Sequence, residues 1–133
     1  MHATASTFAQ DVRRDAERLV QQGTFDFLMP FGPGRDKLTP GEVALCMGRD
    51  VHFVYQELQR PETVLEVLKI PNRIRSEMRI LRRSVLLWLA LAALEGGLEA
   101  GLFMERVERL LESLRASQLE RVIQTATRLK SRV

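Results

Sequence analysis

Six cations stand within fifteen residues of this chain, Lys69, Arg73, Arg75, Arg79, Arg82 and Arg83, with Glu77 as the only acid among them. Side chains of that type and density suit phosphate, because each cation set against a phosphate releases condensed counterions. The other reading of the same residues is a solvated charged face. Nothing comparable points to catalysis. Cys46 is the single cysteine and His2 and His52 are the only histidines, so there is no disulfide framework and no cluster at metal-ligand spacing. Without an assignable His or Asp partner, Cys46 reads as a small buried apolar residue. Glu95 and Glu99 lie four apart, but beside turn glycines. Phe31 to Asp36 contains Pro33-Gly34 yet lacks the Gly-Lys-Ser/Thr ending that lets a phosphate loop reach phosphate and metal. Neither an enzyme nor a cofactor is expected.

The cations need a scaffold, and the stretch before them supplies one. Thr39, Pro40 and Glu42 are an N-cap, a first-turn proline and a capping-box partner, followed by Val43, Ala44 and Met47 as a buried stripe. Gly48 comes where a helix end favours positive φ, and Asp50 is a second N-cap, after which Val51, Val54, Tyr55 and Leu58 continue at helical spacing. The spacing predicts two short helices joined by a tight turn, a helix-turn-helix unit whose second helix enters the major groove. Pro61 closes it. Val64 to Ile70 and Met78 to Leu81, on either side of the polar stretch from Pro71 to Glu77, read as a hairpin.

Around this unit the chain reads as helix. Ser6 can cap a helix with Phe8, Val12, Ala16, Leu19 and Val20 on one face, ending at Gly23, and Pro30, Gly32, Pro33 and Gly34 then form a breaker segment. Ser84 can cap a nearly continuous apolar helix, Val85 to Leu94, with Trp88 in the core. From Leu102 to Val133 the apolar phase slips near Ser117, so either two helices meet there or one long helix carries a stutter.

The run from Leu38 to Tyr55 resembles the opening of the MerR-like and excisionase-type winged-helix proteins: a Leu-Thr start, a Glu-Val-Ala helix, a Gly turn and a Val-Tyr recognition helix. Arg79-Ile80, the Arg82-Arg83-Ser84 step and Val85-Leu86-Leu87-Trp88-Leu89 are similar to the strand that leads into that family's final helix. The resemblance covers residues 37 to 95. Where many relatives have Ser-Arg or Ser-Lys, this chain has Arg49, Asp50, Val51 and His52, a less basic opening. The resemblance implies a DNA-binding fold used by excision factors and regulators.

The fold expected is mainly α, a winged helix-turn-helix with a small β-hairpin wing, an N-terminal helix and a C-terminal helical extension. Residues 1–34 form the first helix and linker, 35–95 the DNA-binding unit, and 96–133 an oligomerisation or partner-binding extension. Double-stranded DNA is the expected partner. Helical geometry turns Val51, His52, Tyr55, Gln56 and Gln59 toward it, with Arg49 and Arg60 at the ends as phosphate clamps. Arg73, Arg75 and Arg79 extend the surface along the wing into a minor groove or backbone. One unit contacts few base pairs, so Phe103, Val107, Leu110, Leu114, Val122 and Leu129 are read as a surface for a homo-oligomer or a protein partner. A protein-interaction adaptor, or a phage or mobile-element accessory subunit, working through those helices without DNA is the rival reading. A lone cysteine, no secretory pattern in Met1 to Gln10, and a longest apolar run about half a membrane span point to a soluble cytoplasmic protein.

Overall fold

The computed structural model describes residues 2–71 and 76–131 of the 133-residue chain. Five α-helices and a three-stranded antiparallel sheet are present among them: α1 His2–Gln21, β1 Lys37–Leu38, α2 Pro40–Met47, α3 Val51–Leu58, β2 Val67–Pro71, β3 Ser76–Leu81, α4 Arg82–Glu95 and α5 Ala100–Ser131. The protein is thus mainly helical with a small sheet, in the order β1-β3-β2.

α2 and α3 form where side chains replace missing backbone partners. The Thr39 hydroxyl accepts from the Glu42 amide at 3.2 Å while the Glu42 carboxylate accepts from the Thr39 amide at 3.0 Å, and the Asp50 carboxylate accepts from the Phe53 amide at 2.9 Å. Residues 48–50 connect the two helices, with Gly48 at φ 67°. The Thr39 contacts also hold the Glu42 carboxyl below its ordinary range, helped by Arg35. A lowered carboxylate pKa favours the folded state above the ordinary carboxylate range. That contribution disappears as acid takes the pH down through the folded-state value. Thr39→Ala is expected to cost about 1 kcal/mol of unfolding free energy in urea at neutral pH, whereas Glu42→Gln, which removes the titrating carboxylate, is expected to cost less in acid than at neutral pH.

The sheet is seen only in part from sequence. β2 and β3 pair with Val67 opposite Ile80 and Pro71 opposite Ser76, so the strands reach further into the stretch expected to turn than the apolar residues suggest. β1 was not expected: two residues pair Lys37 with Leu81 and Leu38 with Ile80, and Leu38 and Ile80 are fully buried. Val64 and Leu65 precede the strand rather than belonging to it. β2 is an edge strand. Glu66 accepts from Leu81 across the ladder, so Val67, Lys69 and Pro71 direct their backbone groups to the free side.

Two helix starts differ from the expected ones, and of the two readings near Ser117 the single long helix is the one found. α1 begins at His2, placing Ser6 inside it. α4 begins at Arg82 directly from β3, with no side-chain cap. Ser84 is buried in the first turn, where its hydroxyl donates to the Leu81 carbonyl at 2.7 Å, and the Arg82 amide finds Asp36 O at 2.8 Å. α5 is one continuous helix through Ser117.

A single apolar cluster unites these elements. Leu28, Met29, Leu38, Val43, Cys46, Met47, Val54, Ile80, Val85, Leu89 and Leu98 belong to it, with Phe53 and Trp88 against its side. The breaker segment is held to this cluster: the Arg82 guanidinium donates to Phe31 O and Gly32 O, both at 2.7 Å. α5 departs from α4 with a bend of 113°, and no single helix among the described residues is long and apolar enough to cross a membrane. The root of α5 returns to the body. Phe103, expected on an association surface, packs its ring 6.0 Å from that of Phe27 in the same chain, and Val107 is half-buried. Arg106 is buried and donates to Leu28 O and, at 3.1 Å, to Leu45 O.

Candidate nucleic-acid interface

α3 divides cleanly between core and solvent. Val54 is fully buried and Phe53 and Leu58 pack against the cluster, which leaves Val51, His52, Tyr55 and Gln56 exposed, with Gln59 just beyond the last turn. Among the described residues no other segment covers this side: Tyr55 is 45% exposed and Val51 42%. His52 and Gln56 lie one turn apart with their Nε2 atoms 3.2 Å from each other. Gln and His carry the donors and acceptors that base edges require, and Val51 offers an apolar contact for a thymine methyl.

The cations are arranged less simply than their positions in the chain suggest. Arg49 precedes α3, exposed, with its guanidinium 4.8 Å from the centre of the Phe53 ring, which itself meets Trp88 edge-on at 6.0 Å. This stacking positions the charge at the start of the exposed side without neutralising it. Arg60 is different. It bonds Glu62 at 2.7 Å and Glu57 at 3.1 Å, which raises its own pKa, chiefly through Glu62, and lowers that of Glu62. Buried Glu57 also accepts from the Thr63 hydroxyl at 3.2 Å. Arg60 therefore belongs to a closed acidic set rather than to a free clamp.

Arg79 pairs with Glu77 at 3.1 Å and donates to Met78 O, Arg83 pairs with Glu66 at 3.0 Å, and Arg82 is the anchor of the breaker segment. Lys69 lies exposed on the edge strand. Arg73 and Arg75 lie outside the described residues. What the fold brings together is thus Arg49 with Val51, His52, Tyr55, Gln56 and Gln59, whereas Arg60 and Arg79 are engaged by carboxylates.

Two buried charged side chains were not singled out from sequence. Glu57 sits three residues before Arg60, a helical spacing that signals a pair. Arg106 stands in phase with Phe103 and Leu110, one charge within an apolar stripe, and that misplacement is its signal.

Among the described residues no three His, Cys, Asp or Glu side chains could share a metal ion. Burial pushes the Cys46 thiol up to about 11, and its sulfur lies 3.7 Å from that of Met29. A cleft of about 280 Å³ between α1 and α4 is lined by Arg13, Glu17, Glu66 and Arg83, and these pair with one another. Comparison with protein-family models, with curated proteins and with solved structures finds no match in any of the three.

Proposed function

We propose that this chain is a DNA-binding protein of excisionase or transcriptional-regulator type, built on a winged helix-turn-helix. The observation that carries the proposal is the uncovered outer side of α3, a capped helix presenting His52, Tyr55, Gln56 and Gln59 beside a cation that is stacked but not paired. α3 enters the major groove, Arg49 meets the backbone at its start, and the β2–β3 hairpin serves as the wing. Arg73 and Arg75, between the paired ends of those strands in sequence, supply the wing's charge. α5 supplies the association that a unit with so small a footprint needs.

Fluorescence anisotropy on random duplex DNA at two salt concentrations tests this. Binding is expected to weaken steeply with salt, and Arg73→Ala/Arg75→Ala is expected to lower affinity about tenfold or more and to reduce the salt slope by about two. Gln56→Ala is expected to leave random-sequence affinity nearly unchanged and to cost about 1–3 kcal/mol on a selected site. Absence of binding at low salt, or indifference to losing both arginines, rejects the reading. It would favour a protein adaptor, a reading supported by the carboxylate partners of Arg60, Arg79 and Arg83 and by the apolar surface of α5.

A further inference from the structure

Beyond Val107, α5 leaves the body: every residue from Glu108 to Ser131 is exposed. At the helical rise this projection is about 36 Å long. Leu111, Leu114, Leu119, Val122, Ile123 and Leu129 are large apolar side chains on it, between 47% and 67% exposed. Leu111, Leu119, Val122, Ala126 and Leu129 fall on one seam at helical steps, with Arg115 at the one polar position. A soluble chain rarely leaves such a seam uncovered.

Charge identifies what covers it. The root of the projection and the turn before it carry exposed Glu105, Glu108 and Glu112, with Arg109 as their exposed cation. The outer half carries Arg115, Arg121, Arg128 and Lys130 against Glu120 alone. One helix therefore holds an acidic half and a basic half. Two copies running parallel would set acid on acid and base on base, whereas two running antiparallel set each acidic root against a basic tip.

We propose that α5 is the docking surface for α5 of a second copy of this chain, antiparallel about a two-fold axis between Glu120 and Arg121. In that register Leu119 lies opposite Val122 of the second copy, Arg115 opposite Ala126, and Leu111 and Glu112 opposite Lys130 and Leu129. The proposal deepens the reading of α5 as an association surface and stands whether or not the chain binds DNA.

Sedimentation equilibrium of the full chain is expected to give the mass of two subunits. Glu108→Lys/Glu112→Lys and Arg121→Glu/Arg128→Glu/Lys130→Glu should each weaken self-association by about tenfold or more, and their equimolar mixture should regain the wild-type mass. Circular dichroism and that regain separate repulsion from misfolding. Oxidative cross-linking reads the direction: Leu119→Cys should link to Val122→Cys, and Leu129→Cys should link to Leu111→Cys but not to itself, with Cys46 buried and out of reach. A one-subunit mass at every concentration, a mass above two subunits, charge reversals without effect, or Leu129→Cys linked to itself overturns the proposal. The readout is mass and proximity, so these failures leave the DNA reading untouched. Loss of DNA binding in a chain that still dimerises does the reverse.

Discussion

Arg106→Met is expected to lower the unfolding free energy by about 3 kcal/mol. The guanidinium is 4% exposed and has no carboxylate partner, and it is instead held between two backbone carbonyls far apart in sequence, Leu28 O and Leu45 O. Leu45 lies in the last turn of α2, whose terminal carbonyls lack helical partners and carry the negative end of the helix dipole. The charge therefore closes α2, the short turn before the breaker segment and the root of α5 with one group. Methionine fills similar volume but offers no donor, so the carbonyl of Leu28 is left buried without its bond. Burial and neighbouring Arg109 both lower the Arg106 pKa, so desolvation is already a cost that the two carbonyls offset. Arg106→Lys keeps the charge but not the fork, and is expected to recover less than half of the loss. Urea denaturation of the three proteins decides it. A midpoint unchanged in the methionine variant means that the carbonyl contacts contribute nothing.

Gly48→Ala is expected to destabilise by about 2 kcal/mol, through two causes that a second substitution separates. Its φ of 67° disfavours any side chain, and a Cβ there would lie 2.7 Å from Leu102 Cδ2. The residue that meets it is on α5, so the turn ahead of the exposed helix is in contact with the root of the projecting one. In a Leu102→Ala background the steric part disappears and about 1 kcal/mol of backbone strain remains. Equal cost in both backgrounds shows that Leu102 simply moves aside, and a double-mutant cycle in urea measures the difference.

The pair α2 and α3 was legible because its boundaries are made by side chains: Thr39, Glu42 and Asp50 name their own positions. The start of α4 was not, since β3 runs straight into it and the cap is backbone from Asp36, a partner that spacing does not reveal. Ser84 misled for the same reason, its hydroxyl turning back to Leu81 O from inside the helix. β1 is too short to carry an alternating pattern, and only the burial of Leu38 against Ile80 explains it. The slip near Ser117 is real in the apolar phase but leaves the backbone unbroken, because the residues around it are exposed and no packing constraint interrupts the hydrogen-bond ladder. At the candidate interface, the outward residues of α3 followed from periodicity alone. The state of the arginines did not, since pairing of Arg83 with Glu66 or Arg82 with Phe31 O joins residues distant in sequence.

The free side of β2 bears on how copies of this chain can and cannot aggregate. Pro71 has no amide to offer a newcomer, and Lys69 puts a charge where a like strand would bring another. Strand addition at this edge is thereby disfavoured.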